Sequence, residues 1–460
     1  MSSPVRWDGR SVVVLGMAKS GIAAAKLLHF LGARVTVNDR KPRSEYLEEA
    51  EELERMGIRV ILGGHPPNLL EGDVDLLVKN PGIPYRVPPV KEAFRRGIPV
   101  VTEVEIAGQM LSSPIAGITG SNGKTTTTSL VGHMLDTGGI KSRVAGNIGR
   151  ALCELVGEAK PEEWLVVELS SFQLKGTETF RPRVAALLNI VPAHLDYHET
   201  MDDYIDAKMR LFQNQTAADV AVLNRDCPAV REAPSRLKSE VWWFSRRSEV
   251  SRGSFVKDGW MILRTPEGEE WSLLSVDELP LPGVHNLENA LAAATIASAC
   301  GCPEEGIREG LRTFQGVPHR LEYVGTVDGV RYINDSKATN AQAALRALES
   351  FSEPVVWIAG GLDRGDDFAE LVPHLARRVK GMIAYGESGP RLLKRAEEAG
   401  VPRRQAVSDV DEAVEQARRM AEEGDVVLLS PACASWDLYT SFEERGDIFK
   451  RAVHRLVKKA

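Results

Sequence analysis

The residues at 117–126, with the sequence GITGSNGKTT, have the types and spacing that most clearly suggest chemistry. They follow an apolar segment and precede a helix-compatible segment at 126–135. Between a strand and a helix, backbone N–H groups and the helix N-terminus bind phosphate oxygens. Lys124 would place a cation on the outer phosphates, and the Thr125 hydroxyl could hold Mg²⁺. The segment predicts a nucleoside triphosphate site, with a ligand-free glycine turn as the alternative, although Ile118 replaces a glycine of the general pattern.

Two polar residues follow predicted strands further along the chain. Glu168 closes an apolar segment, and His194 lies at a similar strand exit. A carboxylate at a buried strand end requires a cation, and ligands bind at the carboxyl ends of parallel strands. Each residue alone is more often structural, but beside a phosphate loop the pair predicts a divalent metal site. Lys208 lies on a predicted helix, where the pattern alone indicates a solvated surface side chain.

Asn286 and Asn289 lie three residues apart at the start of another predicted helix, so they share a face. Their amides could cap the helix or hydrogen-bond an adenine. The residue types alone favour capping.

The segment Gly16–Gly21, GMAKSG, follows the first predicted strand, and Asp39 ends the second. This arrangement is similar to the dinucleotide-binding fingerprint, but Ala18 replaces the middle glycine that lets the backbone approach a pyrophosphate. The pattern favours a nucleotide other than NAD, and it leaves NAD and a bare tight turn as alternatives.

Three loops in the last third of the chain each follow a predicted strand. They are Asn334–Asn340 (NDSKATN), Gly360–Gly365 (GGLDRG) and Ser430–Asp437 (SPACASWD). Loops after parallel strands meet at one edge of the sheet, so their polar side chains predict a common ligand site.

The elements that position these residues alternate between strand and helix in three series, beginning near the N-terminus, near 114 and near 317. The fold class is α/β, with three domains that each have a mostly parallel sheet flanked by helices. The aromatic, turn-rich stretch at 241–274 predicts a small antiparallel β insertion. Strands are predicted at 12–15, 34–38, 58–62, 76–79, 99–101, 114–118, 165–169, 184–188, 330–334, 355–359, 382–385 and 426–429, and helices at 21–31, 126–135, 201–213, 287–299 and 409–423.

The composition limits the class of protein. A chain of 460 residues suits about three domains. The net charge of -7 argues against nucleic acid as the main partner. The five cysteines lack zinc-like spacing and indicate reduced thiols in the cytoplasm. We expect no membrane anchor, because no apolar run approaches the roughly 18 residues of a spanning helix.

The sequences GITGSNGKTT, NDSKATN and SPACAS resemble the Mur ligases of bacterial peptidoglycan synthesis, and the last two resemble the D-glutamate-adding branch. The resemblance covers essentially the whole chain. It implies a UDP-binding Rossmann-like domain at 1–102, a P-loop ATPase domain at 103–316 and a Rossmann-like, D-glutamate-binding domain at 317–460. It also implies that a monomeric enzyme uses ATP to join D-glutamate to UDP-MurNAc-L-Ala through an acyl phosphate.

The resemblance assigns roles to individual residues. Thr125 would bind the first of two Mg²⁺ ions, Glu168 and His194 would lie near the second, and Lys208 would carry a CO₂-derived carbamate. Around ATP it places Gly120, Ser121, Asn122, Gly123, Lys124, Thr125, Thr126, Asn286, Asn289, Arg320 and Asp335. Around the UDP substrate it places Lys19, Ser20, Asp39, Arg40, Asn147, Ser170 and Gln173. Around D-glutamate it places Lys337, Thr339, Arg364, Ser435 and Phe442.

The chain departs from the family at Arg364, where lysine is common. A guanidinium grips a carboxylate with two hydrogen bonds, which an ammonium does not do. Alternative functions are a sister Mur ligase, a folylpolyglutamate synthetase, a nicotinamide-dependent oxidoreductase and a non-catalytic nucleotide sensor.

Overall fold

A computed structural model describes residues 6–281 and 283–457 of the chain. The chain divides into two compact units between Phe314 and Gln315. The first unit contains two β-sheets and the second contains one, and helices pack on all three. The predicted three-domain α/β architecture with mostly parallel sheets is confirmed.

The first sheet has five parallel strands in the order β3-β2-β1-β4-β5. Helix α1 packs on it through small buried residues, among them Ala24 and Ala25. The strands are β1 Ser11–Leu15, β2 Arg34–Asp39, β3 Arg59–Leu62, β4 Leu76–Lys79 and β5 Val100–Val101, and the helices are α1 Lys19–Phe30, α2 Leu47–Arg55, α3 Pro88–Arg95 and α4 Glu103–Met110.

The second sheet has nine strands in the order β14-β13-β12-β11-β10-β9-β6-β8-β7. Strands β6, β8 and β9 are buried along their length because both faces of the sheet are covered. The strands are β6 Ile115–Thr119, β7 Ser142–Gly146, β8 Trp164–Glu168, β9 Val184–Leu187, β10 Val220–Asn224, β11 Glu240–Ser245, β12 Gly253–Lys257, β13 Trp260–Arg264 and β14 Glu270–Ser275. The helices are α5 Lys124–Thr137, α6 Ser171–Leu174, α7 Leu195–His198, α8 Met201–Met209, α9 Pro228–Arg231, α10 Val284–Ala299 and α11 Glu304–Thr313.

The stretch predicted as an antiparallel insertion is an extension of this sheet, and only part of it is antiparallel. Strand β11 pairs in parallel with β10, because α9 and the turn after it return the chain in the same direction, and it also pairs in parallel with β12. Strands β12, β13 and β14 form antiparallel pairs. The turn Asp258-Gly259 has positive φ at both residues, as a tight hairpin requires.

The second unit has six strands in the order β15-β16-β20-β17-β18-β19, and only β15 is antiparallel to its neighbour. The strands are β15 Glu322–Val327, β16 Val330–Asn334, β17 Val355–Gly360, β18 Val379–Tyr385, β19 Arg403–Ala406 and β20 Val426–Leu429. The helices are α12 Ala341–Glu349, α13 Val372–Arg378, α14 Gly389–Glu398, α15 Val410–Met420 and α16 Phe442–Val457. Within the part of the chain that the structure describes, no helix is long and apolar enough to cross a membrane.

Candidate active site

The glycine-rich loop lies between β6 and α5, at the carboxyl end of β6, which lies between β9 and β8 in the nine-stranded sheet. Gly123 precedes α5 with a left-handed φ of 82°. The Lys124 ammonium folds back onto its own loop, donating to the carbonyls of Gly120 at 2.9 Å and Ser121 at 3.0 Å. Thr125 and Thr126, in the first turn of α5, are buried. The predicted strand–loop–helix context is present.

Two residues that sequence reasoning missed shape this loop. Asn189, just after β9, accepts a hydrogen bond from the Asn122 N–H at 2.9 Å through Oδ1, and its backbone carbonyl accepts from Ser121. The buried hydroxyl of Tyr204 lies 2.9 Å from the Ser121 Oγ. Tyr204 is four residues before Lys208 on α8, so the two side chains share one helix face, but this spacing does not indicate what that face contacts.

Glu168 has the surroundings of a cation ligand. It ends β8 opposite Ile118 of β6, and it is only 2% exposed. Its Oε1 accepts from the Asn147 Nδ2 at 2.8 Å, but its buried Oε2 has no hydrogen-bond partner among the residues that the structure describes. An unsatisfied buried carboxylate oxygen is costly unless a cation binds it. The Glu168 carboxylate therefore fits Mg²⁺, whose protein sites use one or two carboxylates together with substrate phosphates and water.

His194 takes a left-handed conformation immediately before α7, with a φ of 56°. Its exposed ring lies 4.9 Å from the Phe172 ring and 6.5 Å from the Tyr204 ring. The described residues contain no cluster of three or more His, Cys, Asp or Glu side chains that could hold a metal. Any ion at this edge would depend on hydroxyl, phosphate and water oxygens as well.

The sequence-based interpretation of Lys208 as a solvated side chain is wrong. Lys208 is 1% exposed, and its ammonium donates to the Gly120 carbonyl at 2.9 Å and lies 4.6 Å from the centre of the Tyr204 ring. Burial, and secondarily the charge of Lys124, holds the pKa of Lys208 well below its usual range. The helical pattern missed this because α8 buries the face that carries Tyr204 and Lys208.

Asn289 contacts the phosphate loop from α10. A side chain on Gly123 would collide with the Asn289 Oδ1, which lies 2.2 Å from the position of a Cβ. The Asn289 Nδ2 donates to the Asn286 Oδ1 at 3.3 Å, which confirms that the two amides share a face. Helix capping, the interpretation that the residue types favoured, is wrong. The N-cap position is Gly283, and no side chain among the described residues caps α10.

The glycine loop of the first sheet, Gly16–Gly21, is held in place by the carboxylate of Asp39 at the end of β2. The Asp39 Oδ2 accepts from the Met17 N–H at 2.8 Å, and the Asn80 Nδ2 donates to the Ser20 Oγ at 3.1 Å. Lys19 and Arg40 are exposed. Asp39 thus orders the loop, while the two cations remain accessible to solvent.

Ser170 and Gln173, predicted along the substrate channel, bond to each other. They form a capping box at the start of α6, in which the Gln173 Oε1 accepts from the Ser170 N–H and Oγ at 2.9 Å each. The helix places both residues two to five positions after Glu168, at the same end of β8.

In the second unit, the three predicted loops converge. The Gly360 N–H donates to the Pro431 carbonyl, and the Leu362 N–H donates to the Ala434 carbonyl. The Ser430 Oγ donates to the Asp335 Oδ2 at 2.8 Å. Convergence follows from the strand order, because β16, β20 and β17 are neighbours.

Arg445 on α16 ties these loops together, and sequence reasoning missed it. Its fully buried guanidinium donates to the Oγ and carbonyl of Ser336 at 2.9 and 2.8 Å, to the Cys433 carbonyl at 3.1 Å and to the Gly360 carbonyl at 3.5 Å. The only sequence signal is a charged residue on the buried face of an otherwise amphipathic helix.

Asp335 is buried at the end of β16, where its Oδ1 accepts from the Leu321 N–H at 3.2 Å. Burial raises the pKa of Asp335 to about 7 despite the hydrogen bonds and the charge of Arg320. A cationic ligand group or a donor would stabilise the ionised carboxylate.

The residues predicted for D-glutamate lie on the converging loops and on α16. The Lys337 ammonium lies 5.6 Å from the centre of the Phe442 ring, and the Arg364 guanidinium lies 5.0 Å from that of Trp436. Ser435 is buried beside Trp436, and Thr339 is half-buried. The unit therefore presents two cations and a hydroxyl near one sheet edge.

Comparison with known families defines the class. The description "Mur ligase MurD-like, N-terminal domain" matches residues 10–102, "Mur ligase middle domain" matches 118–297, and "Mur ligase, glutamate ligase domain" matches 319–433. The chain belongs to the Mur ligase family. It is an ATP-dependent, amide-forming type of enzyme.

Relatives within the family are similar over their whole length. One from Geobacillus kaustophilus is 51% identical over 98% of both chains. One from Bacillus cytotoxicus is 48% identical over 99% of this chain and 100% of its own. Both are named UDP-N-acetylmuramoylalanine–D-glutamate ligase.

Solved structures agree on the fold. A MurF ligase from Thermotoga maritima in complex with ADP aligns with a TM-score of 0.54 at 19% identity, covering 98% of this chain and 96% of that one. The UDP-N-acetylmuramate-alanine ligase MurC from the same organism aligns at 0.53 and 19% identity, covering 98% and 100%.

Proposed function

We propose that this enzyme uses ATP to join D-glutamate to UDP-N-acetylmuramoyl-L-alanine. The products are UDP-MurNAc-L-Ala-D-Glu, ADP and phosphate, in the synthesis of peptidoglycan precursors. The observation that carries the proposal is the phosphate loop with the unsatisfied carboxylate of Glu168 on the neighbouring strand. The full-length relatives named for this reaction supply the substrates.

The first step brings two anions together, because the terminal carboxylate of the substrate attacks the γ-phosphate of ATP. Lys124 neutralises that repulsion and the charge of the transferring phosphoryl group. To do so, its ammonium exchanges the carbonyls of Gly120 and Ser121 for phosphate oxygens. ADP leaves as the carboxylate takes the phosphoryl group. The amine of D-glutamate then attacks the carbonyl carbon of the acyl phosphate, forming the amide and releasing phosphate and a proton.

Two Mg²⁺ ions are part of the proposal. Thr125 would hold the first, and Glu168 and His194 would lie near the second. When bound, the ions supply positive charge to the phosphate oxygens. Asn147, through its bond to the Glu168 Oε1, orients the carboxylate so that Oε2 is presented to a cation.

We also propose that Lys208 is carbamylated: its neutral amine adds to CO₂, forming an N–C bond and releasing a proton. The depressed pKa of Lys208 supports this, because only the neutral amine is nucleophilic. The carbamate would place an anion near the cationic Lys124, whose charge already acts on Lys208.

The remaining site residues are proposed to bind the three substrates. ATP would contact the loop residues 120–126 together with Asn286, Asn289, Arg320 and Asp335. The UDP substrate would contact Lys19, Ser20, Asp39, Arg40, Asn147, Ser170 and Gln173. D-Glutamate would contact Lys337, Thr339, Arg364, Ser435 and Phe442.

Domain bounds, assembly and location complete the proposal. We place the domains at 1–102, 103–316 and 317–460, which enclose the three family-matched segments. We place a monomer in the cytoplasm, where ATP is available and cysteines stay reduced. Light scattering that shows a dimer, or fractionation that finds the enzyme outside the cytoplasm, would contradict this.

The test is phosphate release with ATP, Mg²⁺ and UDP-MurNAc-L-Ala, with D-glutamate, with L-glutamate or with no amino acid. We expect release only with D-glutamate, and its loss in Lys124→Ala. Equal turnover with L-glutamate would contradict the stereochemistry. Activity only with another amino acid would assign the enzyme to a sister branch.

A further inference from the structure

Lys79, the last residue of β4, is completely buried in the first unit. Its ammonium donates to the Tyr197 hydroxyl and the Pro81 carbonyl at 3.1 Å each and to the Asn80 carbonyl at 3.3 Å, and it lies 4.6 Å from the centre of the Tyr85 ring. Three acceptors and an aromatic face match the three donors and the charge of an ammonium.

Tyr197 carries this contact into the second sheet. It lies on α7, the single turn that follows His194. Its hydroxyl donates to the Pro81 carbonyl at 3.0 Å, and its ring lies 4.4 Å from the ring of Phe172, which in turn lies 4.9 Å from the His194 ring. Tyr197 thus contacts both the turn after β4 and the aromatic neighbour of His194.

The turn after β4 also contacts the glycine loop of the first sheet. The Asn80 N–H donates to the Leu15 carbonyl at 2.7 Å, and its side chain bonds Ser20. A Cβ on Gly16 would lie 2.7 Å from the Asn80 Cβ. Packing is therefore continuous from this loop, through the turn, to Lys79 and Tyr197.

A buried cation is an expensive way to join two sheets. Burial, and secondarily the charge of Lys175, lowers the pKa of Lys79 to about 7. Apolar side chains of similar volume often stabilise such a position at least as well. The lysine adds directional hydrogen bonds, and these fix the turn after β4 and the Tyr197 hydroxyl relative to each other.

We propose that Lys79 and Tyr197 are positioning residues. They would set the distance between the glycine loop of the first sheet, which is proposed to bind the uridine nucleotide, and the end of the second sheet where His194 lies. This distance would favour a ligand long enough to contact both the glycine loop and the region of His194, namely a nucleoside diphosphate sugar extended by a carboxylate. UDP alone reaches only the glycine loop. This inference rests on the proposed function for the identity of the ligand.

The test measures the dissociation constants of UDP-MurNAc-L-Ala and of UDP by calorimetry, in the full-length Lys79→Met and Tyr197→Phe variants. We expect about a tenfold loss of affinity for UDP-MurNAc-L-Ala and a change below about twofold for UDP. Steady-state kinetics should show the same rise in KM for that substrate, with the KM values for ATP and D-glutamate unchanged. Lys91→Met, an exposed lysine on α3, is the matched control.

Two results would overturn the inference. The first is unchanged affinity for UDP-MurNAc-L-Ala in both variants. The second is an equal loss for UDP, which would mean that the pair only supports the loop. Tyr197→Phe keeps the ring packing, so it provides the test if Lys79→Met fails to fold. Binding is measured without turnover, so failure of ligation in the unmodified enzyme would refute the proposed function separately.

Discussion

At the scale of single residues, the nine-stranded second sheet brings together charged groups that water would normally solvate. The ammonium groups of Lys124 and Lys208 both donate to the carbonyl of Gly120. The carboxylate of Glu168 is buried with one oxygen unsatisfied by any described residue. Such groups are costly in an empty protein, and the phosphates and ions of a nucleotide would satisfy them. The site is arranged for its ligands rather than for stability.

Lys208 offers a direct chemical test at this scale. We expect Lys208→Ala to lose about a hundredfold or more in turnover, because it removes the anion that a carbamate supplies. Formate or acetate in excess should restore part of the lost phosphate release by occupying the space of the missing carbamate.

The control is Lys26→Ala, a half-buried lysine on α1 that pairs with Glu52 on α2, which should lose nothing and gain nothing from formate. Turnover of Lys208→Ala near the unmodified rate would show that no group on this side chain is needed. If the folded Lys208→Ala variant is inactive and neither formate nor acetate restores activity, the result would contradict a carbamate and assign the role to the unmodified amino group of Lys208.

At the scale of elements, the second unit depends on one helix to fix three loops. Arg445 of α16 contacts the loops that follow β16, β17 and β20, and the Ser336 Oγ also donates to the Phe442 carbonyl at 2.8 Å. The residues proposed to bind D-glutamate are on these same elements. Their relative positions therefore depend on Arg445, although its guanidinium hydrogen-bonds none of the residues proposed to bind D-glutamate.

We expect Arg445→Lys to raise the KM for D-glutamate by about tenfold while the KM for UDP-MurNAc-L-Ala stays the same. An ammonium is a single point of charge and does not reach acceptors on three loops. Steady-state kinetics with each substrate varied in turn measures the effect. Arg451→Lys, on an exposed position of the same helix, is the control. An unchanged KM for D-glutamate would show that the loops hold their positions without Arg445.

Several elements with one clear pattern were predicted from the sequence, but the apolar strand β10, with the sequence VAVLN, was missed. Strands β4, β16 and β20 have the predicted bounds because each is a short apolar run. Polar strands were missed: β19 reads RRQA and lies at the edge of its sheet, so little of it is buried. The helix predicted at 201–213 ends at Met209 and continues as a tighter turn.

The candidate site was predictable where the chemistry is local. The phosphate loop and the exit of β8 are continuous segments, so their residue types indicated the site. Asn189, Tyr204 and Arg445 act across elements distant in sequence, and Lys208 is buried by tertiary packing. Neither type nor spacing reports such contacts before the fold is known.

At the scale of the whole molecule, the proposed site residues divide between the two compact units. The phosphate loop belongs to the first unit, and the residues proposed for D-glutamate belong to the second. Amide formation requires the acyl phosphate and the amine to meet. This division also explains why binding and catalysis are best tested separately for each substrate.

The most direct test of the central claim follows an oxygen atom. UDP-MurNAc-L-Ala labelled with ¹⁸O in its terminal carboxylate is incubated with ATP, Mg²⁺ and D-glutamate, and the released phosphate is analysed by mass spectrometry. Attack of the carboxylate on the γ-phosphate predicts that one labelled oxygen appears in each phosphate, and only when D-glutamate is present. Phosphate without the label would mean that water attacks ATP, which would contradict ligation through an acyl phosphate.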